Sequence, residues 1–298
     1  MKIFLEASGC LTANFLISAI KDAGHICVAS DANPESIGKL LSDEFYTVPM
    51  ATDTDYVEKV LEILIEHKID MVIPTLDDAL LKWASMREQM KKNNITLAIS
   101  DTPTLNVCVD KWNTYQCFIK NGIPTPKSSL KKDFPLVKPR NGRGGSGIVV
   151  TDDTNVNMDN MICQELLLGT EYTVDVFCDY THDPVYIVPR VRAGVKDGKS
   201  TGGVVCQNKD IDMGVRKICK AIPFTGAINI QCFETKDGIR FTEINPRFGG
   251  GTVLGMKATE NWIPLTIDTF CYKKRISQKK DIHYGLKMGR YYAEIFYE

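Results

Sequence analysis

The densest chemistry in the sequence is a strand-like run that ends in a lysine and opens into a glycine loop, Pro135-Leu136-Val137-Lys138-Pro139-Arg140-Asn141-Gly142-Arg143-Gly144-Gly145-Ser146-Gly147-Ile148. Glycines let backbone N–H groups turn toward a bound anion, and a lysine adds a point charge suited to phosphate. The order is not that of a Walker A loop, whose lysine closes the glycines instead of preceding them. Alone, such a segment is as readily a surface turn. A second segment, Ile228-Asn229-Ile230-Gln231-Cys232-Phe233, is followed by a turn at Asp237-Gly238 and by Arg240-Phe241-Thr242-Glu243-Ile244-Asn245-Pro246-Arg247-Phe248-Gly249-Gly250-Gly251. It reads as a hairpin with Gln231 on one strand and Glu243 and Asn245 sharing a face of the other. A carboxylate and two amide oxygens are hard ligands suited to Mg²⁺, and Arg247 could clamp a phosphate. Glu-x-Asn pairs are also frequent on plain polar strand faces. A third segment runs from Ile162-Cys163-Gln164-Glu165 through Leu166-Leu167-Leu168-Gly169-Thr170 to Glu171-Tyr172-Thr173-Val174-Asp175. Gln164 and Glu165 could bond a purine edge and Glu171 a pair of sugar hydroxyls. A bare linker with a solvated Glu171 is the alternative.

These residues need elements to hold them. In the first hundred residues, Ile3-Phe4-Leu5, Ile26-Cys27-Val28-Ala29 and Met71-Val72-Ile73-Pro74 read as short buried strands. Between them, Leu11, Phe15, Leu16, Ala19 and Ile20 recur at helical spacing up to Gly24, and Val57, Val60, Leu61 and Leu64 do so over Asp55–His67. That alternation predicts an α/β domain with a parallel sheet covered on both faces. It resembles a Rossmann-type half without the dinucleotide fingerprint, because Gly9 stands alone where three spaced glycines are needed. Asp31 stands at a reasonable distance for a ribose contact, but a structural or substrate-side domain is the favoured reading. The character changes near Asp101-Thr102-Pro103. One helix is predicted from about Asn106 to Lys120, ending at Asn121-Gly122, and Ile123–Pro126 is extended. From there to Gly255 the text is rich in Val, Ile, Thr and Tyr, with glycine turns at Gly169, Gly198 and Gly238, which predicts antiparallel sheet.

At 298 residues the chain is sized for about two domains, or three small ones, and 44% hydrophobic with 24% charged residues is a globular mix. A formal net charge of -1 disfavours nucleic-acid partners, which normally require a basic excess. Lys273-Lys274-Arg275 and Lys279-Lys280 read as solvated surface lysines and arginine. No apolar run approaches the roughly 20 residues of a membrane span, and Glu6 interrupts the opening too early for a signal peptide. The ten cysteines form no CxxC pair, and several lie in apolar strand text, which predicts reduced thiols in the cytoplasm. His25, His67, His182 and His283 are scattered, and nothing supports a zinc site or a nucleophilic triad.

Taken in order, the three chemical segments resemble the ATP-grasp superfamily, nearest to the carbamoyl-phosphate-synthetase large-chain type and its short stand-alone relatives. The resemblance covers the whole chain. It implies a Rossmann-like domain over 1–105, a small lobe with the glycine loop over 106–170, and a large lobe with the metal and acceptor site over 171–298, mixing α+β in the clamp. It assigns Lys111 and Lys138 to the nucleotide phosphates and Gly144, Gly145, Ser146 and Gly147 to the closing loop. Gln164, Glu165 and Leu167 fall at the hinge that reads adenine, and Glu171 at the ribose. Gln231, Glu243 and Asn245 match the magnesium ligands, with Glu243 bridging two ions (Mn²⁺ being a possible substitute), and Arg247 matches the arginine that stabilises the transferred phosphoryl group. Many relatives have an acid at Gln231, and the first domain lacks the usual glycine-rich opening. The short carboxyl-terminal part gives no room for a fused second synthetase half or a biotin carrier.

The resemblance implies a carboxylate–amine ligase. ATP phosphorylates a small-molecule carboxylate, an amine attacks the acylphosphate, and an amide, ADP and phosphate leave, while the protein supplies position and charge stabilisation. The alternatives are a carbamate- or bicarbonate-phosphorylating enzyme and a non-catalytic nucleotide-binding module; a nicotinamide oxidoreductase ranks below both. For the acceptor, Arg190 and Arg192 share a strand face in Pro189-Arg190-Val191-Arg192-Ala193 and could hold a carboxylate, with Gly249 and Gly250 offering backbone N–H groups. Exposed strand arginines are the plain alternative. Many members of the family are dimers, so a homodimer is a possible assembly.

Overall fold

The computed structural model describes all residues except Leu11, Arg143, Gly144, Asp197, Gly198, Tyr292 and Glu298; of 193–196 and 199–201 only the backbone is described. The chain opens with β1 (Lys2–Leu5), α1 (Ala13–Asp22), β2 (Ile26–Asp31), α2 (Gly38–Leu41), β3 (Glu44–Thr47), α3 (Tyr56–Glu66), β4 (Met71–Ile73), a single 3-10 turn at Asp77–Ala79, α4 (Leu80–Lys92) and β5 (Thr96–Leu97). The five strands form one parallel sheet in the order β3-β2-β1-β4-β5. Alternation along β1 divides the core. Phe4 packs with Val28, Val60, Leu64 and Trp83 on one face. Ile3 and Leu5 pack on the other with Leu16, Ile20, Phe177, Leu254 and Trp262, so this sheet shares a continuous core with the carboxyl-terminal half. That shared apolar core fixes the cleft between the two halves.

The sequence predicts one helix from Asn106 to Lys120. The structure has two, α5 (Thr102–Cys108) and α6 (Lys111–Lys120). The break is a cap: the Trp112 backbone N–H donates to Asp110 Oδ1 at 2.8 Å, an alternative to continuing the helix that aspartate offers readily. It brings Lys111 to the first turn of α6.

A four-stranded antiparallel sheet follows, β6 (Ser128–Ser129), β7 (Leu136–Pro139), β8 (Val149–Val150) and β9 (Met161–Gln164), in the order β6-β9-β7-β8. The last part contains β10 (Thr170–Cys178), β11 (Pro184–Lys196), β12 (Lys199–Val205), α7 (Lys209–Ala221), β13 (Gly226–Thr235), β14 (Gly238–Asn245), α8 (Thr252–Ala258), α9 (Trp262–Phe270) and β15 (Lys287–Gly289). Its six antiparallel strands run β14-β13-β10-β11-β12-β15. Helix α7 interrupts the text that predicts only strands. Its buried residues Ile211, Val215, Ile218 and Cys219 fall at one helical face, and Asn208 caps it by accepting from the backbone N–H groups of Asp210 and Ile211. Of the glycine turns, Gly198 lies outside the described residues. Gly169 has φ +155°, and a Cβ there would stand 2.0 Å from the Glu234 carbonyl oxygen, so the entry into β10 requires glycine.

Candidate active site

Strand register builds the site. Arg190 of β11 lies opposite Thr173 of β10, Thr173 opposite Gln231 of β13, and Gln231 opposite Glu243 of β14, a single row across four strands. The next row along places Asp175 opposite Asn229 and Asn229 opposite Asn245. Between Gln231 and Cys232 the ladder shifts, leaving Thr242 as the extra residue. That bulge resolves a conflict of parity. Phe241 is buried in the core, where its ring would meet any Cβ at Gly214 of α7, while Glu243 faces the cleft.

The cleft is a cavity of about 750 Å³ between the carboxyl ends of β1, β2 and β4 and the six-stranded sheet. From the first domain it is lined by Glu6, Gly9, Asp31 and Asp77; from the sheet by Thr173, Arg190, Arg192, Asn229, Gln231, Glu243, Asn245 and Arg247; and also by Gly250, Gly251 and Arg290. A smaller pocket beside it, of about 30 Å³, is lined by Lys111, Lys138, Gly142, Gly145, Ser146 and Glu243. Glu243 therefore belongs to both.

Lys138 on β7 is only 7% exposed. Burial pulls its ammonium down to about 8; the Glu243 carboxylate opposes this and Lys111 adds to it. The Lys111 ammonium donates to the Gly142 carbonyl at 3.0 Å. Among the described residues, the side chains of Lys138, Gln231 and Glu243 make no hydrogen bond or ion pair. Buried or half-buried polar groups are normally satisfied, so three such groups around one cleft mark a place built for a ligand.

The other sequence candidates are placed as follows. Gly145 and Ser146 are exposed at the small pocket, with Gly145 at φ +73° and Gly147 at φ +74°; Gly144 lies outside the described residues. Gln164 is buried and its Nε2 donates to Ser128 Oγ at 2.9 Å, so that side chain is spent within the small lobe. Glu165 accepts from the Lys127 backbone N–H at 2.9 Å, and Leu167 is half-buried beside the exposed Leu166 and Leu168. Glu171 accepts from Arg192 in a close ion pair. Gln164, Glu165, Leu167 and Glu171 line neither cavity, nor do Gly147 and Gly249. The Gly249 backbone N–H is already engaged, donating to Thr252 Oγ1 at 2.8 Å.

Arg190 is buried rather than strand-exposed. Its Nε donates to Asp175 Oδ2 at 2.5 Å and its Nη2 to Oδ1 at 3.0 Å, while Asn229 Nδ2 and Thr252 Oγ1 also donate to Oδ1 at 2.8 and 3.0 Å. Arg247 Nη2 donates to Asp77 Oδ2 at 2.5 Å and to Asn245 Oδ1 at 3.2 Å, and its Nη1 to the Phe248 carbonyl at 3.2 Å. The loop carrying Asp77 is itself held by Glu6, whose carboxylate accepts from Tyr56 Oη at 2.7 Å, Trp83 Nε1 at 2.8 Å, and the backbone N–H groups of Thr75 and Leu76 at 3.0 and 3.1 Å. Burial pushes the Glu6 carboxyl up against the pull of those donors.

Asp77, Asn229 and Arg290 are site residues that sequence reasoning missed. Asp77 had a faint signal, since it follows the third apolar strand, where parallel sheets carry their ligands. Arg290 had none, because only the pairing of β15 with β12 carries it to the cavity. Asp77→Asn should leave Arg247 without its charged partner and lower kcat by about 10- to 100-fold with an unchanged KM for ATP, measured by ADP release. An unchanged kcat would show that Arg247 needs no such anchor.

All ten cysteines are free, and burial pushes the Cys27 and Cys232 thiols up to about 12, which keeps them inert. Among the described residues no group of three or more His, Cys, Asp or Glu could hold a metal, and no helix is long and apolar enough to cross a membrane.

Two family models match the chain: "PylC-like, N-terminal domain" over residues 8–98 and "ATP-grasp in the biosynthetic pathway with Ter operon" over residues 157–289. The carbamoyl phosphate synthase arginine-specific large chain of Bacillus subtilis is 24% identical over 267 residues, covering 78% of this chain and 25% of that one. The 3-methyl-D-ornithine–L-lysine ligase of Methanosarcina barkeri is 22% identical over 235 residues, covering 78% of this chain and 63% of the ligase. The chain thus spans about a quarter of the length of the carbamoyl phosphate synthases it matches. Among solved structures, the biotin carboxylase of Campylobacter jejuni superposes with a TM-score of 0.75 at 16% identity, covering 95% of this chain and 73% of the carboxylase. The L-amino acid ligase of Bacillus licheniformis gives 0.71 at 16% identity, covering 89% and 73%. These superpositions show the fold: a parallel-sheet domain followed by two antiparallel sheets. Residues 157–289 thus match an ATP-grasp domain, preceded over residues 8–98 by a PylC-like N-terminal domain.

Proposed function

We propose that the chain is an ATP-dependent carboxylate–amine ligase that forms an amide through an acylphosphate and releases ADP and phosphate. The observation that carries this is the convergence of Lys138, Gln231 and Glu243, none with a partner among the described residues, where the two cavities meet. The ligases among its relatives and structural neighbours support the reading. We further propose the division at about residues 105 and 170 into an N-terminal domain, a small lobe and a large lobe, and a reducing, cytoplasmic setting that suits ten free thiols.

A carboxylate is a poor electrophile, and phosphorylation gives it a leaving group. Lys138 and Lys111 would bear on the triphosphate from the small lobe, and the loop through Gly145 and Ser146 would cover it and exclude water. Arg247, anchored by Asp77, would face the oxygens of the transferred group. The donor set fits Mg²⁺ in kind: Glu243, Gln231 and Asn245 present hard oxygens to one cleft, although only one of them is charged. Bound there and held by Glu243, Gln231 and Asn245, one or two Mg²⁺ ions, or Mn²⁺, would supply charge neutralisation on the phosphate oxygens. The hinge residues Gln164 to Leu167 would receive adenine mainly through backbone groups, since the Gln164 amide is engaged. A purine seated there could leave Glu171 for the ribose only if its pair with Arg192 opened.

Hydroxylamine trapping tests the reading. With ATP, Mg²⁺ and a panel of amino acids, sugar acids and small peptides, at least one acid should give both ADP and a hydroxamate. ATP turnover with bicarbonate and no organic acid would instead favour the carbamate-phosphorylating alternative, a reading that the carbamoyl phosphate synthase similarity keeps in play. Nucleotide binding with no turnover across the panel would leave a non-catalytic module.

A further inference from the structure

The row that ends at Glu243 begins at Arg190, three strands away, or ~14 Å at the usual strand spacing. The two ends of the cleft are therefore chemically separate. At the Arg190 end, Nε and Nη2 are taken by Asp175, but Nη1 is buried and has no partner among the described residues, on a side chain only 1% exposed. Arg190 lies so close to the chain at Gly251 that a Cβ there would fall 2.6 Å from Nη1, so only glycine leaves room for this edge of the guanidinium where both residues line the cavity. Arg290 arrives from the other side, at the end of β15. Its Nη2 donates to the Gly250 carbonyl, and its Nε is buried with no partner among the described residues. Burial, and then the neighbouring Arg190, pull the Arg290 guanidinium down from its usual range, so two like charges stand close together at this end of the cleft. Buried guanidinium N–H groups left unpaired cost free energy, and with Asp175 already matched to Arg190 the pair keeps one positive charge that an anion would compensate.

We propose that Arg190 and Arg290 form a carboxylate subsite, one free N–H from each guanidinium meeting one oxygen of the ligand, and that it holds a carboxylate other than the one that reacts. The assignment of the reacting carboxylate to the Glu243 end rests on the ligase reading; the anion subsite itself does not. One substrate accordingly carries a second acidic group, either a dicarboxylate acid or an amine that is itself an amino acid. Arg290 acts as a specificity residue, aligning the substrate along the row while Gln231, Glu243 and Arg247 serve the phosphoryl end.

The test begins with binding alone, without nucleotide. The full chain is titrated calorimetrically with succinate and, at matched ionic strength, with the neutral succinamide. Wild type should bind succinate and not succinamide. Arg290→Gln should weaken succinate binding by about 10- to 100-fold, the range expected for hydrogen bonds to a charged group. This variant is used because removing Arg190 would strand Asp175 as a buried charge and endanger folding. Equal binding of succinate by Arg290→Gln and wild type, no binding by wild type, or equal binding of succinamide would overturn the subsite. ADP release then names the bearer. Matched pairs, a dicarboxylate against its half-amide as the acid and an amino acid against its amide as the amine, should differ in KM in one arm, and Arg290→Gln should abolish that difference. No difference in either arm would count against the subsite, whereas succinate binding with no turnover on any acid would refute the ligase reading alone.

Discussion

Glu243→Gln is expected to lower ADP release by at least about 10³-fold while leaving the melting temperature within a few degrees of wild type. The large effect on turnover follows because Glu243 is the one carboxylate of the donor set and the residue both cavities share. The small effect on stability follows because its side chain makes no hydrogen bond or ion pair among the described residues, so the substitution loses only its charge opposite Lys138. The change from carboxylate to amide keeps the volume and removes only the charge. Turnover within tenfold of wild type would remove Glu243 from the chemistry.

Lys138→Met should separate stability from function with opposite signs. A lysine only 7% exposed, with no hydrogen bond or ion pair among the described residues and only the nearby Glu243 charge to offset its burial, pays for its charge in the free protein. Its folded value of about 8 lies below the ordinary 10.5, so at neutral pH the charged form is disfavoured in the folded chain relative to the unfolded one. That penalty is fully present below pH 8 and is relieved as pH rises from about 8 to 10.5, because there the unfolded chain binds the proton that the folded one has released. Methionine removes the penalty. The nucleotide-free variant should therefore melt higher than wild type at pH 7, while its affinity for ATP falls by about 100-fold or more. The same ammonium predicts a pH profile. In wild type, kcat/KM for ATP should fall about tenfold per pH unit above about 8, because the free enzyme loses the charge that meets phosphate. Lys138→Arg should carry its charge past that limb. A flat profile to pH 9.5, or unaltered ATP affinity in the methionine variant, would contradict the role of Lys138.

In the parallel-sheet domain β1, β2 and β4 were legible because each is built on a short apolar run, and α1 and α3 because each keeps one apolar face, as with Val60 and Leu64 in α3; β3 (Glu44–Thr47) and β5 (Thr96–Leu97) have no such run. The hairpin was legible because Asp237-Gly238 punctuates it and the polar pair Glu243 and Asn245 keeps strand parity. Other features depend on contacts between distant segments. Asp110 could have stood inside a longer helix; what decides otherwise is its engagement with the Trp112 N–H and with Arg140, to which it is bridged at 2.5 Å. The amphipathic face of α7 was present in the text but lay among β-branched residues. The state of each site arginine was not legible at all. Arg190 and Arg192 look equivalent in sequence, yet Arg190 is buried on Asp175 and Arg192 pairs with Glu171. Arg247 reaches its partner Asp77 across 170 residues, and no local spacing encodes such a contact.

The most direct measurement is a crystal structure of the chain with Mg²⁺ and a non-hydrolysable ATP analogue. The γ-phosphate should lie between Lys138 and Arg247, with magnesium touching a Glu243 oxygen and the Asn245 amide oxygen. A triphosphate seated elsewhere, or a magnesium ion that touches neither residue, would contradict that placement.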